Sequence, residues 1–191
     1  SQHGPAILAA GIPLLTASIG ALADQDIADQ LHAAAQAGKT KLHLASGAIG
    51  ALDVLASAKM GKLDRVTYSG RKPPEAWLGS RAEDMVDLEN LEEPFMHFEG
   101  TARDAALLYP KNANVAAAVA LAGIGFDATE VRLFADPRSV ANTHKIGARG
   151  MFGTMRFSVT GVGLPGAPRT SALAAMSILR KVSEITQEIS F

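Results

Sequence analysis

The order of helix and strand signals in the first sixty residues constrains the fold more than any other feature. Two short apolar runs, 12–18 and 40–46, have the length and composition of buried strands. The segments 24–37 and 49–59 carry apolar residues at the spacing of amphipathic helices. Strands that alternate with helices over short connections form parallel sheets covered by helices. We therefore predict that residues 1–60 form the C-terminal part of a Rossmann-like α/β domain.

The pattern changes near Gly61, after which strand signals predominate. We predict strands over 63–69, 93–100, 130–135, 142–148 and 151–159, helices over 101–109 and 112–121, and a partly helical stretch over 80–90. Arg149-Gly150 is the predicted turn of the last hairpin. These signals predict an α+β domain with a mixed or antiparallel sheet over 61–165. Thr170 or Ser171 is the predicted cap of a final helix that ends near Ile185.

One glycine-rich stretch, Gly161-Val-Gly-Leu-Pro-Gly166, matches the G-x-G-x-x-G pattern of dinucleotide-binding loops. That pattern binds a pyrophosphate within a strand–helix–strand unit, with an acidic residue about 20 positions further on. Here only one helix is predicted between Gly166 and Phe191, and Pro165 and Pro168 stiffen the segment. We therefore interpret this stretch as a flexible connection into the final helix.

Composition and charge argue against several classes of protein. The formal net charge is −1, so no basic field favours nucleic acid, and the absence of cysteine excludes disulfides. Neither a long apolar run nor a signal-peptide pattern is present, and we expect a cytoplasmic protein without a membrane partner. No spacing typical of a metal site occurs, so no metal is expected. Because Ser1-Gln2-His3 leads directly into a helix signal, we expect the first domain to be incomplete at its N-terminus.

Two loops combine features of ligand-binding sites. Ser46-Gly-Ala-Ile-Gly50 joins a predicted strand to a helix, where α/β sheets bind ligands, and its small side chains let a flat ring approach the backbone. A tight turn without a ligand is the alternative. Lys111, Asn112 and Asn114 lie at the start of a helix, with Asn112 as the predicted N-cap. Free amides there favour an anion or a carboxamide, although simple capping would also explain an asparagine.

His144 is the candidate acid or base among the five histidines. It lies near the start of a predicted strand, beside Asn142, and an imidazole that titrates near neutrality suits proton transfer. A lone histidine is more often structural, and that alternative stays open. Arg71 and Lys72 follow another strand and could clamp a dicarboxylate, because a guanidinium matches carboxylate geometry. A solvated strand end is the alternative for these two cations.

Several stretches, taken together and in this order, resemble the L-aspartate dehydrogenase family. They are Ser18–Leu22, Leu44–Gly50, Tyr68–Trp77, Phe98–Arg103, Tyr109–Ala116, Ala135–Pro137 and Asn142–His144. The resemblance extends over essentially the whole chain. Two departures are visible: the family's glycine-rich phosphate loop is absent, and Ala167-Pro168 replaces a frequent Asn-Pro pair, while Thr170 and Ser171 are retained.

The resemblance implies a Rossmann domain followed by a substrate and dimerisation domain, with residues 166–191 returning to the first domain. It implies oxidation of L-aspartate by NAD or NADP to iminoaspartate, which water converts to oxaloacetate and ammonia, and which can feed NAD biosynthesis. By this resemblance His144 is the active-site residue, and Ala48 and Asn114 contact the cofactor. A homodimer is also implied.

Two other functions remain open at this point. A dehydrogenase of similar two-domain build could act on homoserine or on a dihydrodipicolinate-like substrate. A non-catalytic dimerisation module is the alternative from a different class, because the sequence lacks the phosphate loop.

Overall fold

The computed structural model of the chain describes residues 2–188. Within that range the helices are α1 (Gly4–Ala9), α2 (Gln25–Ala37), α3 (Leu52–Lys59), α4 (Ala102–Leu108), α5 (Asn114–Ala122) and α6 (Ala172–Thr186). The strands are β1 (Leu14–Thr16), β2 (Leu42–Leu44), β3 (Leu63–Lys72), β4 (Phe95–Thr101), β5 (Glu130–Ala135), β6 (Asn142–Gly150), β7 (Gly153–Gly161), β8 (Gly163–Leu164) and β9 (Ala167–Ser171). No helix formed by residues 2–188 is long and apolar enough to cross a membrane.

The first part of the chain contains a parallel pair of strands. β1 and β2 pair in register, with Leu14 opposite Leu42, and α2 connects them. The side chain of Asp24 caps α2 by accepting hydrogen bonds from two free backbone N–H groups at the start of the helix. The predicted parallel α/β unit is therefore confirmed, although each strand has three residues and is shorter than predicted.

The second part of the chain forms a five-stranded sheet in the order β4-β5-β3-β6-β7. β3 runs parallel to β5 and antiparallel to β6, and the β4–β5 and β6–β7 pairs are antiparallel. The predicted mixed sheet is therefore confirmed. β3 has ten residues and lies at the centre, so its buried face contributes to the middle of the core.

Helix α5 connects the two parts of the fold. Its residues Val115–Ala120 are all buried, and most of them are alanines, whose small side chains let neighbouring elements approach closely. α5 contacts α3, α4, β3 and a 3-10 helix at Ile19–Ala23 that follows β1. It therefore positions the carboxyl end of β1 against the five-stranded sheet.

Two turns near the end of the sheet differ from the sequence prediction. In the β6–β7 hairpin Gly150 pairs with Gly153, so the turn is Met151-Phe152, and the prediction of Arg149-Gly150 is wrong. A side chain at position 150 would meet the carbonyl oxygen of Lys62 at 2.1 Å, so glycine there lets β6 continue beside β3. The stretch 161–166 is also not a flexible connection, because β8 and β9 form a second hairpin. Pro165-Gly166 is its turn, with a φ of 79° at Gly166.

Three local predictions in the first two-thirds of the chain are also corrected. β4 contains a bulge between Met96 and Phe98, which breaks the strict alternation expected for 93–100. α3 begins at Leu52 because Ala51 has a left-handed backbone, so residues 49–51 are not helical. In 80–90 only a short 3-10 helix at Arg81–Asp84 forms.

Candidate active site

The buried face of β3 gathers the polar side chains of the candidate site. Tyr68, Gly70 and Lys72 alternate along this strand and all point to the core. Gly70 lies directly opposite His144 of β6. Tyr68 and Lys72 therefore flank His144 on one face of the sheet.

Tyr68 holds the ring of His144. The Tyr68 hydroxyl and His144 Nδ1 are 2.7 Å apart, and the two rings stack with their planes 18° apart. A side chain at position 70 would place its Cβ atom 2.7 Å from the Tyr68 hydroxyl. Glycine at position 70 therefore leaves the space through which this hydroxyl reaches the imidazole.

The imidazole of His144 is neutral at physiological pH. Burial, and then the positive charge of Lys72, lower its pKa to about 4. The sequence-based expectation of an imidazole that titrates near neutrality is therefore wrong for the unliganded protein. Since Nδ1 is bonded to Tyr68, Nε2 is the nitrogen available to a substrate.

Lys72 is a buried cation with neutral partners. Its side-chain Nζ donates a hydrogen bond to Asn112 Oδ1 at 3.2 Å and lies 4.6 Å from the centre of the Trp77 ring. In the part of the chain that the structure describes, Lys72 forms no salt bridge with a carboxylate. Burial lowers its pKa to about 8, because the charged form has lost its hydration.

A second buried histidine lies near Lys72. His97 Nδ1 is 3.0 Å from the Tyr109 hydroxyl, and the His97 ring meets Trp77 edge-on at 4.3 Å. His97 Nε2 is one of the two buried side-chain polar atoms within residues 2–188 that have no hydrogen-bond partner. Burial, and then the charge of Lys72, lower the pKa of His97 to about 4. Lys72 thus acts electrostatically on both buried imidazoles.

Arg71 takes no part in this cluster. It lies on the opposite face of β3, where it forms a salt bridge of 2.7 Å with Asp136 and stacks over Phe134. The suggestion that Arg71 and Lys72 together clamp one ligand is therefore wrong, because adjacent residues of a strand point to opposite faces.

The two asparagines at the start of α5 have separate partners, and neither acts as the side-chain cap. Ala113 is the N-cap residue and makes no side-chain cap hydrogen bond, so the prediction of Asn112 as N-cap is wrong. Asn112 instead accepts the hydrogen bond from Lys72. Asn114 Oδ1 accepts a hydrogen bond of 2.9 Å from the backbone N–H of Gly20, just after β1.

The small-residue turn after β2 is held by the last helix. The backbone N–H of Gly47 donates to Ser177 Oγ of α6 at 3.0 Å, and that hydroxyl donates to the carbonyl of Ala174. Gly47 has a φ of 74°, and no atom lies within 4 Å of the position a Cβ would take. Ala48, the next residue, is half-buried against the core. The backbone at Gly47 is thus open to a ligand.

Two of the three residues predicted for the site, Asn114 and Ala48, lie near each other in the fold, and His144 lies in the neighbouring buried cluster. Asn114 and Ala48 both lie at the carboxyl edge of the β1–β2 pair, Asn114 through its bond to Gly20. The Lys72–Asn112 hydrogen bond links the cluster around His144 to the residues just before Asn114. No hydrogen bond or ring contact among the described residues joins any two of these three directly.

Two residues of this cluster, Tyr68 and His97, were not predicted from the sequence, and the sequence pattern did not distinguish Lys72 from Arg71. The signal that could have found Tyr68 is the pattern Tyr-x-Gly-x-Lys within one strand, which aligns three chemically distinct residues on one face. His97 lies on the inward side of β4, next to the exposed Met96, as strand alternation places it, but alternation alone does not reveal its contacts with Tyr109 and Trp77.

The fold is a parallel α/β unit followed by a mixed-sheet domain, and both parts are similar to domains of dehydrogenase families. A family model described as the NAD-binding domain of homoserine dehydrogenase matches residues 1–45. A second, described as the C-terminal domain of aspartate dehydrogenase, matches residues 53–185, which include His144 and Lys72. The chain therefore belongs to the aspartate dehydrogenase family.

Curated relatives and a solved structure agree with this assignment. L-aspartate dehydrogenase of Ruegeria pomeroyi is 60% identical over 93% of this chain, and that of Cupriavidus taiwanensis is 50% identical over 99%. The chain spans 64% and 71% of the length of these two relatives. The crystal structure of aspartate dehydrogenase from Thermotoga maritima matches all of this chain and 72% of its own, with a TM-score of 0.79 and 27% identity.

The electrostatic role of Lys72 can be tested by Lys72→Met. We expect the pKa of both His144 and His97 to rise, because the positive charge that disfavours each imidazolium is removed. Both values should stay below 6.5, because burial is the larger cause of each depression. The measurement is an NMR titration of the histidine ring resonances.

Arg71→Gln is the matched control, because it removes a neighbouring cation that points to the other face of β3. It should leave both imidazole titrations unchanged. Unaltered titrations in Lys72→Met would contradict the electrostatic influence of Lys72 on the two rings.

Proposed function

We propose that this chain is the catalytic part of an L-aspartate dehydrogenase that oxidises L-aspartate with NAD or NADP. The observation that supports this most strongly is the buried Tyr68–His144 pair beside Lys72, within the region that matches the aspartate dehydrogenase C-terminal family. A neutral imidazole beside a cation suits a reaction in which an anionic substrate must be bound and a proton moved.

The residues at the carboxyl edge of β1 and β2 fit a nicotinamide cofactor. Open space above Gly47 lets a flat ring approach the backbone, and Asn114 lies at the same edge. In this proposal Ala48 and Asn114 hold the cofactor. We assign residues 1–60 to the nucleotide-binding part, 61–165 to the substrate part and 166–191 to a segment that returns to the first part. The family matches over 1–45 and 53–185 and the hydrogen bond from Gly47 to Ser177 support this division.

Ala48 and Asn114 would hold a nicotinamide cofactor, which would supply a hydride acceptor for the oxidation of L-aspartate at Cα. The protein's own contribution is proton transfer while water adds to iminoaspartate and ammonia departs. His144 Nε2 takes the proton from the attacking water and returns it to the departing nitrogen. For Nε2 to accept a proton, the neutral ring must carry its hydrogen on Nδ1, which then donates to the Tyr68 hydroxyl oxygen in both protonation states of the ring. The products are oxaloacetate and ammonia, and the imine can supply NAD biosynthesis.

A homoserine-type substrate is the second candidate. The match to the homoserine dehydrogenase family supports it, but this match is confined to the nucleotide-binding part. The cluster of His144 and Lys72 lies in the region that matches aspartate dehydrogenase, and a buried cation favours a substrate with an additional carboxylate. L-aspartate is therefore the substrate we favour.

The proposal includes a homodimer formed over the outer face of the five-stranded sheet. That face presents exposed charged side chains, including the ion pairs Arg65–Glu130 and Arg132–Glu99. An antiparallel or mixed sheet with one face in the core leaves the other face available to a second copy. Sedimentation should therefore give twice the chain mass, whereas the mass of one chain at micromolar concentration would exclude the dimer.

The catalytic role of His144 can be tested by His144→Ala in the full-length protein. We expect turnover of L-aspartate to fall at least ~100-fold, because proton transfer to a positioned side chain contributes on that scale. NADH binding should stay nearly intact, since His144 is assigned to the substrate and not to the cofactor. Steady-state kinetics and a fluorescence titration with NADH measure the two effects.

His32→Ala is a suitable control, because His32 is exposed on α2. It should change neither turnover nor NADH affinity. Turnover that survives in His144→Ala would rule out the assigned role.

A further inference from the structure

We propose that Lys72 is the residue that binds a carboxylate of the substrate beside His144. This inference rests on the proposed function, which supplies a dicarboxylate as the substrate. It goes further by naming a single binding residue and by excluding its neighbour Arg71.

The ammonium group of Lys72 is buried without a negatively charged partner among the described residues. Lys72 is 8% exposed, and its contacts are the neutral oxygen of Asn112 and the face of Trp77. Buried charges in proteins are ordinarily paired, because an unpaired one loses its hydration without compensation. Among the described residues no carboxylate supplies that pairing, so a ligand carboxylate would complete the site.

Lys72 lies on the same face of the sheet as His144. Gly70 is paired with His144, and Lys72 is two residues further along the same face of β3. Side chains two residues apart on a strand are neighbours on one face. A carboxylate bound to Lys72 therefore lies beside the imidazole that handles the proton.

Asn112 offers a second hydrogen-bond donor beside Lys72. Its side-chain oxygen accepts the hydrogen bond from Lys72, so its NH2 group is left as a second donor near the ammonium. Among the hydrogen bonds of the described residues, none uses that NH2 group. An ammonium and an amide NH2 side by side match the two oxygens of one carboxylate.

Binding of a carboxylate at Lys72 would also prepare His144 for its role. The positive charge of Lys72 contributes to the low pKa of His144. A bound anion offsets that charge, so the imidazole becomes a stronger base when the substrate is present. The same contact would therefore hold the substrate and adjust the base.

Arg71 is excluded by its surroundings. Its guanidinium already binds Asp136 at 2.7 Å on the other face of the strand. Arg71 is therefore the matched control: it is an adjacent cation on the same strand that the proposal does not place in the site.

The experiment compares Lys72→Met and Arg71→Gln in the full-length protein. The probe is succinate, a dicarboxylate without an amino group, whose binding is measured by calorimetry in the presence of NADH. Lys72→Met should weaken succinate binding about 10- to 100-fold, the usual effect of losing one charged hydrogen bond. The KM for L-aspartate should rise by a similar factor. NADH affinity should not change, and Arg71→Gln should bind succinate within about twofold of the wild type.

Equal succinate affinity and equal aspartate KM in Lys72→Met would overturn the inference. A loss of kcat with KM and succinate affinity unchanged would also overturn it, because Lys72 would then move a proton and not bind a carboxylate. A wild-type protein that does not reduce NAD or NADP with L-aspartate would refute the proposed function, while the succinate titration would still test Lys72.

Folding of the variant must be verified separately. Lys72→Met retains most of the side-chain length, and Lys72→Gln is a second variant that keeps a polar group for Asn112. The Tyr68–His144 contact gives an internal check, since the ring resonances of His144 should keep a folded, buried environment in both variants. Both variants should show the same loss of succinate affinity, and a loss confined to one of them would contradict the inference.

Discussion

The burial of one ammonium group that acts electrostatically on two imidazoles is the constraint on which the rest of the site depends. Burial lowers the pKa of His144 and of His97, and the positive charge of Lys72 lowers both further. The same burial raises the pKa of the Tyr68 hydroxyl, which therefore keeps its proton at neutral pH. The unliganded cluster thus contains neutral rings, a protonated hydroxyl and one positive charge. Such an arrangement is complementary to an anion, because an anion supplies the negative charge that pairs with the ammonium of Lys72.

The architecture explains how these groups reach one place. β3 lies between β5 and β6, so its inner face is shielded from water over most of its length. Glycine at position 70 makes room for Tyr68, and His97 of β4 is buried against Tyr109 and Trp77. The segment that leads into α5 places Asn112 against Lys72 and Asn114 against Gly20, so it contacts both the cluster around His144 and the edge where the cofactor is proposed to bind.

The sequence was sufficient to predict features that depend on periodicity. The parallel β1–β2 pair and the mixed sheet follow from apolar spacing, and the choice of His144 came from the family resemblance. Features that depend on packing could not be predicted. Which of Arg71 and Lys72 faces the core is decided by which side of β3 is covered, and the low pKa of His144 is decided by burial. The Pro165-Gly166 turn was misinterpreted because its glycines also satisfy a loop pattern.

The most direct test of this account is the free energy of unfolding of Lys72→Met and of the wild type, without ligand, as a function of pH. A lysine whose pKa falls from 10.5 to about 8 on folding destabilises the folded state at neutral pH by roughly 3 kcal/mol. The account predicts that Lys72→Met is the more stable protein at pH 7. It also predicts that its advantage declines between about pH 8 and 10.5, where the lysine is neutral in the folded state and progressively neutral in the unfolded state. A Lys72→Met variant that is less stable than the wild type at pH 7 would contradict it, because the ammonium would then have a stabilising partner within the protein.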